Sequence, residues 1–307
     1  MSKVSEDLIK QIQAEINRSG EIPGSLDELN KIAATVTNKY NHSANPDFEG
    51  LSPHQMNIIL NKPLSPDCPV RYKTTTEPEI VGSSPVFRIC LLIIEAIRAE
   101  SGLKLTTKGN LPRKIVNEIY NLNIYTQKNT KYPFIKVLNE LDFLPAAFTN
   151  ALMKLSGLVL IRKNKLQLTK TGKDLTENPA LLFQTLFTTF ASNFNKGYLD
   201  GYESDNIGNL GMLYTVYLLH LFGQKQREAS FYARLYFNAF PDLINEIQPH
   251  PYSNPEESAH DCFIYRTFDK GLFLFGLIEI EYTGKDYLDR KMFIKTNEIF
   301  HHVFNIT

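Results

Sequence analysis

Cysteine is scarce. The chain holds three, Cys68, Cys90 and Cys262, odd in number, far apart and without a Cys-x-x-Cys spacing. That argues against a disulfide framework and against a cysteine zinc centre, and it fits a reducing cytoplasm as the expected location. Long hydrophobic runs are lacking as well. Ile89–Ile94 is short and Met212–Phe222 is interrupted by Thr215 and His220, whereas a membrane span needs roughly 20 apolar residues. Met1 to Lys10 carries Glu6 and Asp7 and no apolar centre, so no secretion signal is expected. Nucleotide and acyl-transfer motifs are missing too. Asn206-Ile-Gly-Asn-Leu-Gly211 has neither the third glycine nor the preceding strand of a dinucleotide loop. Neither Gly-x-x-x-x-Gly-Lys-Ser/Thr nor Gly-x-Ser-x-Gly occurs. No cofactor is expected, and binding is favoured over catalysis.

What is present suits a folded binding protein. With 307 residues, 43% hydrophobic and 21% charged, a packed core over about two domains is expected. Net charge is zero, but it is segregated. Residues 86–178 carry 15 basic and 7 acidic side chains, residues 1–85 carry 8 and 11, and residues 179–307 carry 10 and 15. The basic middle either meets an outside partner or packs against the acidic flanks; charge speaks to association, not to fold.

Periodicity predicts a mainly helical chain. Val4, Leu8, Ile12 and Ile16 mark a first helix. Ser25 with Glu28 reads as a capping box opening a second, to about Tyr40. Ser52-Pro53-His54-Gln55 is another helix start. Residues 63–85 contain Pro63, Pro66, Pro69, Pro78 and Pro85 and read as an extended linker. Val86–Ala99 is an apolar helix, Leu103–Thr106 a short strand, and Asn110 the cap of a helix to Tyr120. Pro133 opens a helix with Phe134, Val137, Leu138 and Leu141 on one face. After a tight turn at 142–145, a second helix shows Phe148, Leu152 and Leu155 inward. The pair has helix-turn-helix spacing. Leu158 to Thr169 then reads as strand, basic turn and strand, leading into another helix.

Leu103-Lys-Leu-Thr-Thr-Lys-Gly109 and Leu166-Gln-Leu-Thr-Lys-Thr-Gly172 look alike, and the preferred explanation is two strands of one small sheet, each leaving into a helix. Residues 179–199 read as a connecting helix, and 197–211 as a glycine-rich loop. Two apolar helices, a proline-rich connection, a helix capped by Ser253 and a hairpin over 276–296 follow. Gly276-Leu277 stands where Gly157-Leu158 stood, so the order of 146–178 recurs. The expected fold is mainly α with small antiparallel β hairpins: tandem winged-helix-like units plus an N-terminal helical segment. The expected division is 1–62 (N-terminal helical segment), 63–85 (linker), 86–178 (basic winged-helix-like domain), 179–204 (connecting helix) and 205–307 (second, divergent winged-helix-like domain).

Phe48-Glu-Gly-Leu-Ser-Pro-His-Gln-Met56, Leu103-Lys-Leu-Thr-Thr-Lys-Gly-Asn-Leu-Pro-Arg-Lys114 and Leu272-Phe-Leu-Phe-Gly-Leu277 together resemble a family of uncharacterised bacterial proteins over most of the chain, from which no activity carries over. Residues 146–175 resemble winged-helix regulators, in which a helix ending in Gly-Leu feeds a hairpin ending in Leu-Thr-x-x-Gly.

The candidate site follows from that resemblance and the charge. On a recognition helix at 146–156, Thr149, Asn150, Met153 and Lys154 would face outward, Asn to read adenine and Thr a methyl group. Arg162, Lys163 and Lys165 at the hairpin tip suit phosphates, with Arg113, Lys114, Lys170 and Lys173 beside them. Expected partners are nucleic acid or, as the rival, a protein or a second copy in a structural role; no membrane and no metal are expected. An enzyme would need a cleft around His250, Glu256, Glu257, His260, Asp261 and Cys262, but no His-Glu-x-x-His spacing is there and the carboxylates suit a helix start. His301 and His302 are adjacent on a helix and point apart. Aromatics at 183, 187, 190 and 194 have core spacing before they make a stacking platform.

Overall fold

The computed structural model describes residues 3–19, 23–73, 77–124, 139–198, 200–249, 254–284 and 290–307. Among the described residues helices dominate, with three small antiparallel sheets, so the expected mainly α class holds. None of the described helices is long and apolar enough to cross a membrane. The expected helix after Pro133 and the cap at Ser253 lie outside the described residues.

Helices α1 (Lys3–Ser19) and α2 (Leu26–His42) form an N-terminal hairpin. Ser25 caps α2 by accepting from the Glu28 amide at 3.2 Å, but the Glu28 carboxylate reaches back to the Gly24 amide instead of Ser25. At α3 (Pro53–Asn61) both halves of the Ser52/Gln55 box form.

The stretch expected as a linker is built into the core. Its prolines start turns and short helices, while Cys68, Val70 and Val81 are buried. Strand β1 (Val70–Tyr72) pairs with the last strand of the chain, and α4 (Pro78–Val81) packs on a helix described below.

Next come α5 (Pro85–Ala99), β2 (Leu103–Lys104), α6 (Arg113–Tyr120), α7 (Leu144–Leu155), β3 (Val159–Arg162), β4 (Lys165–Leu168) and α8 (Lys170–Leu175). The cap of α6 is Pro112, not Asn110, whose amide instead donates to the Thr106 hydroxyl at 3.0 Å. Helix α9 (Pro179–Ser192) leads to a loop and to α10 (Met212–Phe222), β5 (Arg227–Glu228), α11 (Ala229–Ala239) and α12 (Pro255–Ile264). Helix α12 runs on as a π-helical stretch over Tyr265–Leu272. Strands β6 (Ile278–Thr283) and β7 (Lys291–Thr296), helix α13 (Glu298–Val303) and β8 (Phe304–Ile306) close the chain, with β8 on β1.

The same joint is built twice. Gly157 and Gly276 end their helices at φ of 73° and 68°, a conformation glycine adopts without steric cost. The Leu158 amide then donates to the Met153 carbonyl (3.1 Å), as Leu277 does to Leu272 (3.0 Å). The amides of Thr169 and Asn297, leaving each hairpin, return to Leu158 and Leu277. Their side chains donate to the carbonyls of Gly157 and Gly276 and cap the following helices. The sheets agree in order, β2-β4-β3 and β5-β7-β6. Leu103 pairs with Leu166 and Lys104 with Lys165, so the two similar heptapeptides do lie side by side.

One hydrophobic core runs from Leu51 to Phe304. Its centre is aromatic. Phe148 of α7 and Phe183, Phe187 and Phe190 of α9 all pack on Phe275, with ring centroids 5.1–6.3 Å apart. Phe187 reaches Phe304 at 5.1 Å, which lies on Tyr72 at 6.0 Å. Helix α4 packs on α9 at this centre.

The first joint makes a stability prediction. A Cβ at Gly172 would press into the Leu158 backbone, which the hairpin holds in place. Gly172→Ala should therefore cost about 1–3 kcal/mol by denaturant titration. Gly201→Ala, where a Cβ meets nothing within 4 Å, should stay within about 0.5 kcal/mol. Equal effects would contradict the close packing of α8 on the Leu158 backbone.

Candidate nucleic-acid interface

The β3–β4 turn consists of Lys163 and Asn164, both at positive φ (49° and 56°). Consecutive positive φ is the geometry that matches a two-residue hairpin to the strands' twist. Asn164 ties this tip to the third strand: its side-chain amide donates to the Leu105 carbonyl at 3.2 Å, and its carbonyl accepts from the Leu105 amide at 3.0 Å.

Register decides where the charges go. Residues directly opposite on antiparallel strands share a face. Arg162 lies opposite Lys165, and Lys165 opposite Lys104. One face of the sheet thus carries Val159, Leu166 and Leu103, all buried, with Ile161 exposed near the tip, and the other carries a row of three cations. Arg162, Lys163 and Lys104 are exposed and Lys165 is half-buried. None of the row has a carboxylate at ion-pair distance among the described residues. Like charges placed opposite one another are unfavourable, and an anion would relieve that cost. Lys104 was not among the expected contact residues; the likeness of the two heptapeptides was the signal that would have placed it beside Lys165.

Other expected residues stand around this row. Arg113 and Lys114 are exposed at the start of α6, with the Arg113 Nε donating to Asn139 at 3.1 Å. A cleft of about 270 Å³ between β2 and α6 has Lys104 and Lys114 in its wall, with Glu100 beside them. Lys170 and Lys173 are exposed on α8.

The expected base readers are not available. Thr149 and Asn150 are fully buried. Helix α7 packs against both α5 and α9, and the side expected to face solvent is covered. The Asn150 amide donates to Glu140 at 2.7 Å, and the other Glu140 oxygen accepts from the Leu111 amide. The Thr149 hydroxyl and the Asn150 side-chain carbonyl have no hydrogen-bond partner among the described residues. Leu155, expected inside, is 51% exposed while Met153 is buried in its place. Lys154 is half-buried near the helix end.

His250 lies outside the described residues. His260 stacks on Phe237 at 5.1 Å, Glu256, Glu257 and Asp261 are exposed, and Cys262 points into the core. No group of three metal-ligating side chains occurs among the described residues.

Sequence reasoning missed a buried charged centre. The Arg266 guanidinium grips both Asp200 oxygens at 2.8 and 3.0 Å and donates to the carbonyls of Tyr202, Ser204 and Ile207. Lys270, one turn on, donates to the Lys196 carbonyl at 2.9 Å and lies 3.6 Å from Asp200. The Lys196 ammonium sits 4.8 Å above the Phe190 ring, and its side chain is buried. These contacts pin the loop before α10, with hydrogen bonds for each Arg266 nitrogen, as a structural network requires. Burial pushes Lys196 down to about 7 and Lys270 down to about 8. It pushes the Cys262 thiol up to about 12, well away from a reactive thiolate. A further cleft of about 1000 Å³ lies between α1, α2 and the end of α11; the one arginine lining it, Arg18, is paired with Glu15.

Residues 82–181 match the family model described as the Y4jL N-terminal domain. The match fits the expected resemblance to an uncharacterised family over about a third of the chain and leaves Phe48–Met56 and Leu272–Leu277 outside it. Neither the curated proteins nor the solved structures contain a match to the chain.

Lys196 sets a pH dependence. Its folded pKa, about 7, lies below the ordinary 10.5. Below pH 7 both states carry the proton, and the fold bears the full cost of a buried charge. As pH rises from about 7 toward 10.5, the unfolded chain keeps a proton the fold has released, so stability increases. Lys270 acts in the same direction. Lys196→Met should thus be more stable than wild type at pH 7, and the gap should close by pH 10, as read from denaturant midpoints. A gap independent of pH would contradict it.

Proposed function

We propose that this chain is a non-catalytic binding protein that holds nucleic acid by its phosphate backbone, through a basic winged-helix-like unit over residues 86–178. The single observation that carries the reading is the row Arg162–Lys165–Lys104, unpaired on the outward sheet face beside the Lys163 tip. The order helix, strand, helix, helix, hairpin, with its strands arranged β2-β4-β3, supports the winged-helix likeness. A second, divergent unit over 205–307 has the same strand order but carries Glu279 and Glu281 on its outermost strand, where the first has Arg162.

Contact by phosphates positions a protein without reading sequence. With Thr149 and Asn150 buried, binding is expected to be sequence-tolerant and strongly salt-dependent. The rival role, a protein-interaction scaffold without nucleic acid, draws on a different observation: Leu155, Leu160 and Ile161 are 51%, 43% and 51% exposed beside the same hairpin.

The test is a salt titration of binding to random-sequence duplex DNA. Arg162→Ala/Lys163→Ala/Lys165→Ala should weaken binding and flatten the log–log salt slope by about 0.9 for each phosphate no longer neutralised. Lys104→Ala should act in the same direction. Thr149→Val should leave sequence preference unchanged. Binding that is absent, or as salt-sensitive in the triple variant as in wild type, would remove the nucleic-acid reading and leave the scaffold.

A further inference from the structure

We infer that two copies of this chain associate head to tail, with β3 of one pairing antiparallel with β6 of the other. Among the described residues both strands are the outermost of their sheets, bonded on one side only, to β4 and to β7. An open strand edge presents a row of backbone donors and acceptors and is a template for another strand. The two edges occupy equivalent places in the repeated units yet carry opposite charge. Strand β3 reads Val-Leu-Ile-Arg and runs into Lys163; β6 reads Ile-Glu-Ile-Glu-Tyr-Thr. Arg162, Lys163, Glu279 and Glu281 are all exposed, and Glu281 is held outward by the Gln226 amide at 2.6 Å. A β3–β3 or β6–β6 contact would bring like charges together, so complementarity selects the mixed pair.

Register favours the same pairing. The apolar face carries the buried Val159 and the exposed Ile161 on β3, opposite Leu168 and Leu166, and the half-buried Ile280 and Tyr282 on β6, opposite Ile294 and Met292. An antiparallel alignment that keeps both apolar faces on one side places Ile161 against Ile280 and Val159 against Tyr282 of the second copy. The same alignment sets Arg162 against Glu279 and Leu160 against Glu281. It covers the exposed Ile161 and joins two three-stranded sheets into one of six. The strand contact is short, so the association is weak and reversible. It needs no nucleic acid, and its acidic half takes no part in the interface proposed above.

Sedimentation velocity on the full chain without nucleic acid, from about 1 µM to about 1 mM, is the test. The mass of the wild type should rise with concentration and fall back as salt is raised from about 0.01 M to about 1 M. Glu279→Lys/Glu281→Lys makes both edges basic, and Arg162→Glu/Lys163→Glu makes both acidic. Each alone should need roughly tenfold or more higher concentration to associate, and an equal mixture of the two should recover wild-type association. Glu279→Gln/Glu281→Gln should weaken it in the same direction, and circular dichroism confirms that each variant is folded. A wild type that stays monomeric throughout, charge-reversed variants that associate as it does, or a mixture that fails to recover would overturn the pairing.

Discussion

The aromatic centre that both units share constrains everything else in this molecule. Phe275 stands directly before the second glycine joint and is enclosed by Phe148 from the first unit and by Phe183, Phe187 and Phe190 of α9. Each such ring pair is worth about 0.5–1.5 kcal/mol beyond the area it buries. Because Phe148 reaches this centre, α7 is drawn inward along most of its length and Thr149 and Asn150 go with it. The face of α7 expected to reach solvent is thereby withdrawn into the core, and the tip of the β3–β4 hairpin is left exposed.

The second unit takes the same joint to a different end. The helix before Gly276 relaxes into a π-helical stretch, and Arg266 and Lys270 turn inward onto Asp200. A buried pair of this kind contributes little net stability unless its remaining donors are satisfied. Here the carbonyls of Ser204 and Ile207 satisfy them and tie the glycine-rich loop to the helix. Charge that the first unit shows to solvent is turned in the second to holding backbone. The segregation of charge along a neutral chain thus has a structural counterpart: an outward basic sheet in one unit and, in the other, an inward basic helix with an acidic outer strand.

Local pattern made much of this legible. The box at Ser52, the pairing of the two heptapeptides and the recurrence of Gly-Leu were all readable because each depends on residues close in sequence or on a motif met twice. What sequence could not show depends on distant contacts. Residues 63–85 read as a linker because proline blocks regular structure; that β1 would find its partner at the far end of the chain, Val70 against Ile306, has no local signature. The face of α7 was misassigned because a single apolar stripe was assumed, whereas a helix packed by α5 and α9 buries two sides. The Arg266 network was missed because charged residues are read as surface unless a partner is visible, and Asp200 lies 66 positions away.

Hydrogen exchange along the backbone, with and without random-sequence duplex, tests the central claim most directly: the shared core takes α7 out of reach and leaves the hairpin as the contact. The account predicts that duplex slows exchange across residues 160–165 and at Lys104, while the amides of 146–153 exchange slowly in the free protein and do not change. Fast exchange along α7 in the free protein, or slowing concentrated there when duplex is added, would contradict it.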